Sequence, residues 1–346
     1  MSPDQPRFPW PAGSATGVGS MPGTDPRAAT ETIFAELPDF PHLPELPGRG
    51  PGADLTGRAA ALLVDLPVET APSGWRFAAR PGRDATRAAS LLSRDLDELE
   101  EAAQGWTGPL KIQLCGPWTL AATIELARSQ NPALADPSAV ADLTGSLAEG
   151  VAAHAAEVRK RVPGATVVLQ LDEPSLPAVL AGAVPTASGL NRITEIDDDA
   201  AAARLRAVLS AAGGPGLVHC CAPAVPFPVI KAAGASAAGF DLGLLRRGEE
   251  DILAEAVESG LGLLAGVIPF DGIRNRGSGS PAPADAARRI RTLWRRIGQP
   301  PAAATASVVI TPSCGLAGAT PAGARQTLAW CAEAARILPE LIEEEG

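Results

Sequence analysis

Short, unbroken apolar runs alternate with longer Ala- and Leu-rich stretches of helical period along the whole chain. The runs are SATGVGSM (14–21), FPHLPEL (40–46), LKIQLCGP (110–117), TVVLQLDEP (166–174), GLVHCCAP (216–223), ASAAGFDL (235–242), LGLLAGVIP (261–269) and SVVITPSCG (307–315). A strand covered on both faces reads as such a run, because neither side of it meets water. Between the runs, helical period marks residues 25–37, 83–104, 138–162, 201–213, 249–260, 283–298 and 322–346. Strands alternating with helices predict a parallel sheet, and eight is the number that closes a (β/α)8 barrel. The expected organisation is a Pro-rich segment over 1–13, then one barrel over 14–346. The stretch 67–82 reads as an insertion into it, of hairpin type.

Composition narrows the function classes. The chain has 346 residues, 46% of them hydrophobic, enough for a sizeable core. Its net charge is -10, which argues against a nucleic-acid binder, since such proteins carry a basic face. The densest basic run, RRIRTLWRR (288–296), has helical spacing and reads as a solvated face. No apolar stretch reaches the ~18 residues of a membrane span. The opening MSPDQPRFPWPAG lacks the apolar core of a secretory leader, and five unevenly spaced cysteines make no disulfide framework. A soluble, cytoplasmic protein is expected, with no membrane and no nucleic-acid partner. GVGSMPG is not a dinucleotide fingerprint, because Pro22 stands where its last glycine belongs.

In a barrel, chemistry gathers where strands end. The polar residues closing the runs are Ser20, Glu45, Cys115, Asp172 with Glu173, His219 with Cys221, Asp241 and Cys314. Side chains alternate faces along a strand, so His219 and Cys221 point one way and Cys220 the other. With Cys314 and Asp241 from other strands they make an N, S, S, O set of the kind zinc takes. Blander readings stand beside this one. A strand-end His is commonly just hydrogen-bonded, a buried Cys is a small hydrophobe, and Asp241 is placed to cap a helix or sit in a loop. Asp172–Glu173 is either a site for a substrate ammonium or a structural link. Cys115 and Cys331 read as packing.

Taken in order, GVGSMPGT, CGPWT, QLDEP, HCC and TPSCGL resemble the catalytic barrel of cobalamin-independent methionine synthases, over about residues 14–340. The resemblance implies a TIM-like barrel of the superfamily that also holds uroporphyrinogen decarboxylase. It implies a Zn2+ held by His219, Cys221, Cys314 and a carboxylate, for which Asp241 is the best match although one methylene shorter than the family's Glu. It implies homocysteine as substrate, held by Gly19, Ser20, Glu45 and Asp172, with Asp172 and His219 in the catalytic positions. Methyl transfer to sulfur needs a thiolate, and coordination to a metal deprotonates a thiol whose free pKa is about 8.5.

Two departures from the family bear on the methyl donor. There is no room for the family's second, N-terminal barrel, and Thr123 stands where the family carries a Trp beside the pterin. A donor other than folate is therefore expected, with methylcobalamin presented by a corrinoid protein as the leading candidate. The rival readings are a zinc alkyltransferase acting on another thiol such as coenzyme M, a metal-free decarboxylase-like barrel, and a non-catalytic metal- or thiol-binding barrel.

Overall fold

The computed structural model describes residues 7–269 and 283–343; residues 1–6 of the Pro-rich segment lie outside them. Eight strands occur among the described residues. β1 (Val68–Ala71) and β2 (Gly74–Phe77) form an antiparallel hairpin, as expected for the insertion. β3 (Gly108–Cys115), β4 (Ala165–Asp172), β5 (Gly216–Cys220), β6 (Ala237–Asp241), β7 (Gly262–Ile268) and β8 (Val308–Pro312) form one all-parallel sheet in sequence order. The sheet curls as a half-barrel whose crossover connections carry the helices.

The runs 14–21 and 40–46 are not regular strands, contrary to expectation. They make isolated parallel bridges instead: Ala15 with Ile310, Ser20 with Glu45, and His42 with Lys111. The composition explains why. Pro41 and Pro44 have no N–H to give a ladder, and Gly17 and Gly19 bring no side-chain packing to hold one. Where donors exist they are used. Leu43 N donates to Lys111 O at 2.9 Å, Thr16 N to Ile310 O at 3.1 Å, and Met21 N to Glu45 O at 2.8 Å.

Helix starts are written plainly in the sequence. Asp25–Pro26 and Asp136–Pro137 place a capping carboxylate before a proline at the first helical position, and each Asp accepts two backbone N–H groups. The basic run becomes the helix Pro283–Arg296, with Ile290, Leu293 and Trp294 buried and Arg288, Arg295 and Arg296 outward. Among the described residues, no helix is long and apolar enough to cross a membrane.

The concave face of the sheet is layered. At its floor Val168, Leu217, Leu264 and Val309 pack with Phe8, Trp10 and Phe40. Phe8 stacks on Trp10 at 5.1 Å between centroids, and Trp10 on Phe40 at 5.8 Å. Residues ahead of position 14 thus plug the floor. Gly262 permits this, since a Cβ there would stand 2.7 Å from the Phe8 ring. On β3 and β4 the concave face turns polar: Lys111 pairs in register with Val168, and Gln113 with Gln170 two residues on, all three polar side chains being buried.

Glu173, just past β4, faces the opposite way from Asp172. Its carboxylate accepts from Trp118 N at 2.9 Å and Thr119 N at 2.7 Å, closing the first turn of the helix Pro117–Thr123. Gly116 leaves it room, as a Cβ there would sit 2.3 Å from Glu173 Oε1. Burial pushes the Glu173 carboxyl up to about 7, against the pull of these N–H donors. Replacing Glu173 by Ala should lower the unfolding free energy by about 2–3 kcal/mol, because two buried N–H groups lose their acceptor. Glu173→Gln, which keeps one acceptor oxygen, should cost less. Urea unfolding checks this, and an unchanged midpoint for Glu173→Ala would refute the capping role.

Candidate active site

A cleft of about 400 Å³ opens at the strand ends, lined by Gly19, Ser20, Glu45, Asp172, His219, Cys221 and Cys314, with Val18, Asp54 and Leu55 among their neighbours. Seven of the eight residues that the resemblance assigns to metal or substrate therefore meet in one place. The eighth, Asp241, does not line it. Its Oδ1 accepts from Gly243 N at 2.7 Å and caps a short turn. Cys220, Cys115 and Cys331 are fully buried and do not line it either, as strand alternation requires for Cys220.

The backbone fixes the members relative to one another. Asp172 pairs in register with His219 across β4 and β5. His219 Nδ1 donates to Asp172 Oδ1 at 3.0 Å, and Gln170 Nε2 donates to the same oxygen at 2.7 Å. Both bonds fall on Oδ1, which leaves Oδ2 for a ligand. Holding Nδ1 on the carboxylate fixes the orientation of the ring and leaves Nε2 as its remaining nitrogen. Gln170 Nε2 also donates to Val18 O at 2.8 Å, and Lys111 Nζ to the same carbonyl at 2.9 Å. These two bonds tie the GVGS turn down. The turn is gripped from above too: Leu316 N donates to Ser20 O at 2.8 Å. Gly315 lies so close that a Cβ would stand 2.1 Å from Ser20 Oγ.

The electrostatics are acid above base. Burial raises the Glu45 carboxyl to about 7, while Arg58 pulls it down. Burial lowers the Lys111 amine to about 8, while Asp172 and Glu45 hold it up. Beneath them His42 is pushed down to about 3 by burial and stays neutral at physiological pH. Both thiols line the cleft. Cys221 lowers the Cys314 thiol to about 6, with help from Gly315 N and His219, and Cys314 in turn raises the Cys221 thiol above its usual value. The two thiols therefore titrate as a pair.

The donor set of one imidazole nitrogen and two sulfurs, one readily ionised, suits zinc chemically, and the carboxylate on the remote ring nitrogen is what zinc histidines commonly carry. Among the described residues, however, no group of three or more His, Cys, Asp and Glu side chains is arranged as it stands to hold a metal ion.

Lys111, Gln113, Gln170, Arg58 and the capping role of Glu173 were not singled out from the sequence. A signal existed for three of them. Polar residues two apart inside buried strands, Lys111–Gln113 and Gln170–Asp172, mark the concave face.

No protein-family model matches the chain, and no curated protein does. Among solved structures, it is similar to a B12-independent methionine synthase from Shewanella sp. W3-18-1 in complex with selenomethionine. The identity is 14%, over 72% of this chain and 67% of that one, with a TM-score of 0.50. A tryptophan synthase alpha-subunit from Pyrococcus furiosus also aligns, at 11% identity over 96% of this chain and 99% of that one, with a TM-score of 0.42. At such an identity the likeness to the methionine synthase is one of fold.

The thiol geometry makes a prediction for the metal-free protein. Cys314 is exposed and its proton leaves near pH 6, so iodoacetamide should modify it first, with a rate that rises through about pH 6. In Cys221→Ala the stabilising partner is gone, so the midpoint should move up toward ~8.5, the free-thiol value. Mass spectrometry of alkylation against pH reads both. An unmoved midpoint would exclude the thiol pair.

Proposed function

We propose that this chain is a methyltransferase that moves a methyl group onto the thiol of homocysteine with the help of Zn2+. In this reading the segments 14–21 and 40–46, through their parallel bridges to β8 and β3, close the six-stranded half-barrel into an eight-membered ring. The observation that carries the proposal is the shared cleft. A nitrogen and two sulfurs (His219, Cys221, Cys314) stand in the same pocket as two carboxylates (Asp172, Glu45) and the Gly19–Ser20 turn. That is a thiol-binding end and an amino-acid-binding end within about 400 Å³.

His219, Cys221 and Cys314 would hold the ion. Asp241, expected as a fourth ligand, stands at the end of β6 with Oδ1 on Gly243, and joins the set only by giving up that bond. When bound, zinc supplies a site at which the substrate thiol is a thiolate at neutral pH. The chain's residues do the rest. Asp172 Oδ2 and Glu45 accept from the substrate ammonium, and the Gly19–Ser20 turn receives its carboxylate. Asp172 also orients His219, so one side chain links the amino-acid end of the cleft to the thiol end. The substrate sulfur attacks the methyl carbon of the donor. The S–C bond forms as the donor's bond to that carbon breaks, and the bonding pair leaves with the donor. The thioether product is the sulfur counterpart of the selenomethionine held by the methionine synthase structure.

The rival substrates fit less well. A sulfonate thiol would meet two carboxylates, and a decarboxylase-like cleft would need arginines, whereas none of the described residues lining this one is an arginine. The donor follows from what the cleft lacks. Trp118 is buried, and its Nε1 donates to Ala201 O at 3.0 Å, so it offers no stacking face to a pterin. Thr123 spends its hydroxyl on Thr119 O and Leu120 O within its own helix. Neither residue gives a pterin a face to stack on, so a folate would lack the contacts they could have supplied to place its methyl in line with the sulfur. Methylcobalamin, presented by a corrinoid protein, is the donor proposed.

Elemental analysis of the purified protein should find about one zinc per chain. Cys314→Ser should lose most of it, and Cys220→Ser should keep it, because Cys220 lies on the far face. Full retention in Cys314→Ser would sink the metal site. With the zinc-loaded protein and homocysteine, methionine should form faster from methylcobalamin than from methyltetrahydrofolate. The reverse order would overturn the donor, and no methionine from either would overturn the function.

A further inference from the structure

Behind Glu45 lies a chain of buried charges that no part of the chemistry above uses. Arg58, in the helix Leu55–Ala60, places its Nε 3.8 Å from Glu45 Oε1. That is ion-pair distance and not a hydrogen bond, and both atoms are buried without a hydrogen-bond partner. The rest of the guanidinium is held from the other side. Arg58 Nη1 donates to Asp95 Oδ2 at 2.6 Å, and Arg49 Nη2 donates to the same oxygen at 2.7 Å. Asp95 sits in the helix Arg83–Ala102 and is wholly buried, as Arg58 nearly is.

Leaving an arginine nitrogen and a carboxylate oxygen apart and unpaired in a buried site is costly, so something must keep them from closing. Asp95 is placed to do so. We propose that Asp95 and Arg58 are positioning residues for ammonium recognition: Asp95, anchored by Arg49, holds the Arg58 guanidinium near enough to attract the Glu45 carboxylate but too far to occupy its lone pair.

The consequence is a carboxylate ready for a ligand. Burial favours the neutral acid at Glu45, and the Arg58 charge is the largest influence opposing it, with Lys111 adding to it and Asp172 working against it. Were Arg58 to close fully, Glu45 Oε1 would accept from the arginine instead of from a substrate. Held at 3.8 Å, Arg58 supports the charge without spending the acceptor. The network thus makes the amino-acid end of the cleft selective for a primary ammonium over a neutral or anionic group in the same place. The inference rests on the proposed reading of Glu45 as an ammonium site.

The test uses the zinc-loaded protein and two ligands that differ only in the ammonium: homocysteine and its des-amino analogue, 4-sulfanylbutanoate. Calorimetric titration gives both affinities. Asp95→Asn, which lets Arg58 close on Glu45, should weaken homocysteine by about tenfold, the size of one charge-assisted hydrogen bond. It should leave the analogue and the zinc content unchanged. Arg58→Met should lose homocysteine affinity in the same selective way, and Arg58→Lys should recover part of it. If Asp95→Asn folds poorly, Arg49→Gln, which removes one of the two anchors on Asp95, should show the same selective loss to a smaller extent. Variants that bind homocysteine as the wild type does would overturn the proposal, and so would a parallel loss for both ligands. A wild-type protein that binds the two ligands equally would overturn the ammonium site itself and this inference with it, a failure visible without any variant.

Discussion

Two adjacent carboxylates at the end of β4 must face opposite sides of the sheet, and much of the site depends on that. Period-two geometry sends Asp172 into the cleft and Glu173 into the helix layer. Each finds the donors a buried carboxylate needs. Asp172 takes His219 and Gln170, while Glu173 takes the first turn of the helix after β3. The same dipeptide therefore orients the imidazole and anchors the helix that carries Trp118. A slip of one residue in β4 would expose Asp172 to the helix layer and bury Glu173 in the cleft, undoing both at once.

The cleft also has to solve a charge problem. Asp172 and Glu45 are buried near each other and would repel. Buried charge is tolerated only when it is paired and hydrogen-bonded. Lys111, wholly buried below them, answers both and fastens the GVGS turn through Val18 O. From the other side the Arg58–Asp95–Arg49 chain answers Glu45 alone. Apolar rings at the floor keep water out from beneath, with Phe8 and Trp10 brought in from ahead of the first bridging segment. The mouth is thus supported by one polar layer and one apolar plug, so its acids can face outward while their countercharges stay hidden.

Periodicity and strand alternation set much of this in advance. Unbroken apolar runs located all six regular strands of the sheet, because strands covered on both sides admit few other patterns. Asp–Pro pairs marked helix starts, since the cap and the fixed φ of proline act locally. Asp172, His219, Cys221 and Cys314 gathered in one cleft because a parallel sheet brings all its C-terminal ends to one side. In the same way, alternation alone separated Cys220 from His219 and Cys221.

What only the tertiary structure decided involves groups far apart in sequence whose pairing has no local signature. Asp241 and Cys221 end neighbouring strands, yet one caps a turn and the other shares the cleft with Cys314, a choice made by the loops that follow. Runs 14–21 and 40–46 look like strands by hydropathy, but their prolines and glycines allow only single bridges, and which neighbours they bridge depends on the curl of the sheet. Arg58 and Asp95 stand 37 positions apart, and nothing local to either marks the other as its partner. They became a buried pair facing Glu45 because helix packing, not pattern, sets what a long side chain meets. Sequence fixes the face a residue points to, since that is a property of the strand it lies on; the partner it finds there depends on how the elements pack.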